Sequence, residues 1–225
     1  MTFILAIQLK DSAIVASDHQ YAILHEDGFL DFSEEKIRKM HYWEEGMITG
    51  SGEYHVVQRA FEIFSLIACS NIQKLPECLE ISRRAKELEV GTDYSQIQRT
   101  KLLCSRFTEQ GAQLYTVARL DHRDNYTMTA IEPMKISLWM FNPDVSAVIT
   151  DLQYLFDHLR NYSSFKSLND WFEYYIPQIA RIYKKQSKHD AFMSESFDIY
   201  FQNKENYYSD PVPNRSEKIA KISIL

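Results

Sequence analysis

The chain has 225 residues, 45% hydrophobic and 25% charged, with a net charge of −6. Ordinary composition at this length describes a soluble globular protein that buries its apolar surface without disulfides or a structural metal. The acidic balance excludes a large positive field for phosphates, so no nucleic-acid partner is expected.

The three cysteines, Cys69, Cys78 and Cys104, are odd in number and lack metal-ligand spacing, which reads as free thiols in a reducing compartment. No basic segment followed by an apolar run opens the sequence, so no secretory signal is expected. No apolar stretch approaches the ~20 residues a membrane-spanning helix requires. A cytoplasmic protein without membrane partners is the resulting expectation.

Only six glycines occur, and no linker, repeat or low-complexity block divides the chain. One domain over residues 1–206 is expected, followed by a loose C-terminal tail over 207–225 containing Pro211 and Pro213. Phe3 to Leu9 and Ala13 to Ser17 read as strands around the turn Lys10-Asp11-Ser12, the second ending at Asp18. Lys36 to Tyr42 and Met47 to Thr49 read as another strand pair. Gly50-Ser51-Gly52 then stops a strand and starts a helix. From Tyr54 to Ala68, apolar residues recur at three- and four-residue steps, which predicts an amphipathic helix. A second helix is predicted from about Pro76 to Leu88.

Ala112 to Leu120 and Tyr126 to Ile131 flank a hairpin loop at 121–125, and Lys135 to Met140 reads as a further strand. Helices are predicted over Val145 to Arg160 and Leu168 to Lys185. Ser167 or Asn169 caps the second, and Pro177 predicts a kink within it. Phe197 to Phe201 reads as the final strand. Strands in clusters and helices in pairs point to two antiparallel sheets covered by helices.

The opening from Thr2 to Asp18 resembles the start of proteasome β subunits and their bacterial relatives, N-terminal-nucleophile (Ntn) hydrolases. In that family a threonine begins a strand, a short turn follows, and the next strand ends in an acidic residue. The stretch from Lys36 to Met40 is similar to the family's lysine-bearing strand, and Met47 to Gly52 to its strand-to-helix junction. Asp190 to Ser194 and the strand at Asp198-Ile199-Tyr200 resemble its acidic segment after the fourth helix. The match is good over residues 2–68, fair over 145–190 and weak elsewhere.

The resemblance implies an α+β fold, a four-layer αββα sandwich of two antiparallel sheets flanked by helices. It implies a threonine peptidase in a self-compartmentalising homo-oligomer, a ring or spiral, acting on peptide or protein. It assigns roles residue by residue. Thr2, freed by loss of Met1, is the nucleophile, with its own α-amine as base. Lys36 depresses the pKa values of both groups, and Asp18 orients Lys36. The Gly50 N–H faces the oxyanion, and Asp190 holds the region of the terminal amine.

No cofactor or metal is called for. His19, His25 and Glu26 lie close in sequence, but their spacing is not that of a zinc site, and surface or loop histidines are expected. Phe141-Asn142-Pro143 stands where the family carries Gly-Ser-Gly, and Met193 where a supporting serine belongs, with Ser194 one residue away. Two alternatives therefore stay open: a structural subunit without turnover, and a small-molecule amidohydrolase of the same fold.

Overall fold

The computed structural model describes residues 3–24, 30–32, 36–92, 94–121, 123–141 and 143–213. The chain divides into two compact units, residues 1–39, 107–112 and 132–225 in the first and 40–106 and 113–131 in the second.

In chain order the strands are β1 (Ile4–Gln8), β2 (Ala13–Asp18), β3 (Ala22–Leu24), β4 (Leu30–Phe32), β5 (His41–Trp43) and β6 (Gly46–Ser51). Helices α1 (Tyr54–Leu66), α2 (Leu75–Val90) and the short α3 (Ser95–Gln98) follow. Then come β7 (Lys101–Thr108), β8 (Gly111–Ala118), β9 (Thr127–Ala130) and β10 (Lys135–Trp139). The chain continues through α4 (Ile149–Asp157), α5 (Leu168–Gln186), β11 (Phe197–Gln202) and β12 (Tyr207–Val212).

The first unit is built on a five-stranded antiparallel sheet in the order β10-β1-β2-β11-β12. Every residue of β1, β2 and β11 is buried, the polar Gln8, Ser17, Asp18, Asp198 and Gln202 included. Leu5, Ile7, Ile14, Ala16, Ile199 and Phe201 share one core with α4 and α5. Alternation along each strand puts these residues on one face of the sheet.

The aromatic residues around α5 serve this core. Trp171, Phe172 and Tyr175 are buried, and Trp171 and Phe172 both pack against Phe201, with ring centroids 4.8 and 4.6 Å away. Helix α5 starts with a full capping box, in which Ser167 accepts from the Asp170 N–H and Asp170 accepts from the Ser167 N–H. Pro177 lies inside this helix, which is assigned without interruption over its 19 residues.

The second unit carries a five-stranded sheet in the order β5-β6-β7-β8-β9, with α1 and α2 packed on each other. Its core includes Val56, Ala60 and Phe64 of α1, Leu75 and Leu79 of α2, and Leu102 and Cys104 of β7. The Glu53 carboxylate caps α1, accepting from the Val56 N–H at 2.7 Å.

The two antiparallel sheets with helices give the chain its α+β character. Several elements depart from the sequence reading. Residues 36–40 form no regular element, and β5 begins only at His41. Strand β7 has no counterpart among the elements the sequence predicts. The stretch from Tyr207, read as the start of a loose tail, is strand β12, paired to β11 from Gln202↔Tyr207 to Phe197↔Val212. Among the described residues no helix is long and apolar enough to cross a membrane.

Candidate active site

In the first unit the last residue of β2 is a buried anion. Asp18 is 0% exposed, and among the described residues three donors converge on it. Its Oδ1 accepts from the Phe3 N–H at 2.8 Å and from the Lys39 ammonium at 2.8 Å, while its Oδ2 accepts from the Gln20 N–H at 2.8 Å. The Asp18 N–H in turn donates to the Phe3 carbonyl at 3.1 Å. The carboxylate therefore ties the start of β1, the end of β2 and the segment carrying Lys39.

Phe3 is held from its other side. Tyr183 of α5 donates its hydroxyl to the Phe3 carbonyl at 3.1 Å, and the two rings meet edge to face at 5.0 Å. Burial pushes the Tyr183 phenol well above its ordinary range, with the Asp18 charge adding to the rise.

The lysine on Asp18 is not the one expected. The Lys36 side chain is exposed, and the buried ammonium belongs to Lys39. The physical reason is face. Along residues 36–39 exposure alternates, with Lys36 and Arg38 exposed, Ile37 partly buried and Lys39 buried. Burial holds the Lys39 ammonium below its ordinary range, and the charge of Asp18 opposes that shift.

Asp190 follows α5 and is 3% exposed. Its Oδ1 accepts from the Phe192 N–H at 2.9 Å. Burial pushes its carboxyl up, the Phe192 N–H pulls it down, and the Asp18 charge adds to the rise. Met193 is buried in the core, whereas the Ser194 hydroxyl accepts from the His19 N–H at 3.0 Å and donates to the Ser196 carbonyl at 2.6 Å. Phe141 is half-exposed and rests against Phe192, ring centroids 4.9 Å apart.

Gly50 lies on β6 of the second unit, opposite Leu102 of β7. A Cβ there would lie 2.8 Å from the Lys101 carbonyl oxygen and 2.8 Å from Val57 Cγ2. The packing of β6 against β7 and α1 is therefore sufficient to demand glycine, whatever else its N–H does. Thr2, Asn142, His25 and Glu26 lie outside the described residues.

His19 departs from the expected surface histidine. It is 6% exposed, with Nδ1 3.1 Å from the Ser196 hydroxyl and Nε2 3.1 Å from Asp198 Oδ1. Its position beside a strand-ending aspartate gave the sequence no signal of this, because both partners lie almost 180 residues away. No group of three or more His, Cys, Asp or Glu side chains among the described residues is arranged to hold a metal ion.

Comparison with known proteins bears on the fold. No family profile and no curated protein matches the chain. Among solved structures it is similar to a Gly-1 mutant of Anbu from Hyphomicrobium sp. strain MC1, with TM-score 0.61 at 9% identity, covering 94% of this chain and 87% of that one. It is also similar to Anbu, described as an ancestral beta-subunit, from Yersinia bercovieri, with TM-score 0.54 at 12% identity, covering 92% of this chain and 85% of that one. These likenesses extend over nearly the whole chain and support a proteasome-like fold. They correct the family assignment read from the sequence: with no family profile matched and identity this low, the likeness is one of fold, and membership in the proteasome β-subunit family does not follow.

Proposed function

We propose that this chain is a threonine-type hydrolase of amide bonds, with Thr2 as nucleophile once Met1 is removed. One observation carries the reading. The Phe3 N–H, the amide that joins Phe3 to Thr2, shares a single buried carboxylate oxygen with the Lys39 ammonium. The start of β1 is thereby bound to a desolvated cation and its counter-ion, the setting that the mechanism asks for.

The chemistry proceeds in two acyl transfers. The Thr2 hydroxyl attacks the carbonyl carbon as its proton passes to the Thr2 α-amine, whose ordinary pKa is about 7.7–8.0. The amine product leaves with that proton, and water then attacks the Thr2 ester to release the acid. Lys39 takes the role first given to Lys36, lowering the pKa values of hydroxyl and amine through its charge. Asp18 orients Lys39. A backbone N–H aimed at the oxyanion contributes roughly 2.7–4 kcal/mol in such a mechanism. Asp190 holds the region of the amine. Peptide or protein substrates, a cytoplasmic homo-oligomer and the four-layer stacking of sheets and helices belong to the same proposal.

A second reading is a subunit of this fold without turnover. Phe141 and Pro143 favour it, since they stand where the resemblance calls for glycines beside a serine.

Intact mass and a fluorogenic peptide panel test the proposal. The expected outcome is loss of the Met1 mass, turnover in the wild type and none in Thr2→Ala. Retained Met1, or turnover that survives Thr2→Ala, excludes the mechanism.

A further inference from the structure

The two residues of the buried pair each have a neighbour in sequence that meets a second anion. His19 follows Asp18, and its Nε2 lies 3.1 Å from Asp198 Oδ1. Arg38 precedes Lys39, and its Nε lies 4.0 Å from the same oxygen. Asp198 is 2% exposed and sits on β11, across from Ser17 of β2. The Ile37 N–H donates to the His19 carbonyl at 3.2 Å, which brings the same two segments together through the backbone.

The His19 ring is held from both nitrogens. With the proton on Nε2, it donates to Asp198 and accepts the Ser196 hydroxyl on Nδ1 at 3.1 Å. Among the described residues Asp198 Oδ2 is buried without a hydrogen-bond partner, so the burial of this carboxylate is offset chiefly through Oδ1. A fastener between β2 and β11 alone would need no contact with residues 37 and 38.

We infer that His19 and Asp198 are positioning residues, which lock the segment ending in Asp18 to the segment ending in Lys39 and so fix the ammonium on its carboxylate. The inference deepens the proposed function by naming what holds the pair in register. It places neither residue on the substrate. Loosening the lock lets water reach Lys39, and the desolvation that depresses its proton affinity falls away.

The test reads Lys39 directly and requires no turnover, so its outcome is independent of the peptide assay. The full-length protein carries isotope-labelled lysine side chains, and the Lys39 signal, assigned with Lys39→Arg, is titrated by NMR. In Asp198→Asn and in His19→Gln the Lys39 titration is expected to move up, toward the ordinary lysine range, with roughly a threefold or larger gain in proton affinity. Arg38→Ala, at a side chain 66% exposed, is expected to fold normally and move the titration in the same sense by less. An unchanged Lys39 titration in folded Asp198→Asn and His19→Gln overturns the inference and leaves a strand fastener. Should both of those variants unfold, Arg38→Ala decides alone.

Discussion

The Lys39 ammonium and the Asp18 carboxylate meet at 2.8 Å with only 5% and 0% of their side chains exposed. Removing one partner of such a pair leaves the other charged and dehydrated, at a cost of about 3–5 kcal/mol. Lys39→Ala is therefore expected to destabilise the fold by about that amount in urea denaturation. The double change Lys39→Met with Asp18→Asn removes both charges and should recover much of the loss, read as a favourable coupling in a double-mutant cycle. Lys36→Ala, at an exposed side chain, should stay within about 0.5 kcal/mol of wild type. A large effect at Lys36 with little at Lys39 would reverse the assignment made from the geometry.

The choice between these two lysines shows where sequence pattern reaches and where it stops. An apolar run with a charged turn makes β1 and β2 readable, and three- and four-residue steps make α1 and α5 readable. Asp18 takes its expected role from the family resemblance; the pattern alone shows only an acidic residue closing an apolar strand. Lys36 and Lys39 lie three apart, and only alternation tells them apart: Ile37 marks the inward face and Lys39 shares it. The partnership of His19 with Ser196 and Asp198 was not legible, because it depends on β2 pairing with β11 in one register. Strand β12 was obscured by Pro211 and Pro213, since proline is confined to sheet edges and β12 is an edge.

Gly50 tests whether crowding alone explains a glycine assigned a catalytic part. Its nearest obstacles are backbone of β7 and a methyl of α1. Overpacking of this kind costs about 1–3 kcal/mol, so Gly50→Ala should lower stability by that much. Val57→Ala removes the methyl but leaves the Lys101 carbonyl in place, so the double variant should show partial rescue. Chemical denaturation of the four species in that cycle measures the coupling. An additive result would mean that the β6 backbone shifts instead of pressing on α1.

Helix α5 supplies both Tyr183 and the approach to Asp190, so its start bears on the site from a distance. Ser167 and Asn169 were both candidates for the cap, and the reciprocal hydrogen bonds with Asp170 select Ser167. Ser167→Ala is expected to cost about 1 kcal/mol in thermal or urea unfolding. Asn169→Ala lies within the first turn, makes no cap, and should be neutral or slightly stabilising because alanine is the better helix former. Equal losses at the two positions would contradict the capping box.

Asp190 ties stability to pH in a direction opposite to most carboxylates. Burial is the largest influence on it, and the carboxyl is held above its ordinary value of 3.8. A raised carboxyl favours its protonated form in the fold. Its contribution to stability is thus fully present below the ordinary value and is lost as pH rises through the raised one. At neutral pH the ionised group opposes folding, and Asp190→Asn removes that opposition while its amide oxygen can still accept the Phe192 N–H. The variant should therefore melt at a higher temperature than wild type at pH 7, with the difference shrinking toward zero below about pH 4. Melting curves across pH 3–8 for the two proteins check this. A variant less stable than wild type at pH 7 would mean that the ionised carboxylate has a favourable partner, such as a nearby ammonium, that outweighs its burial.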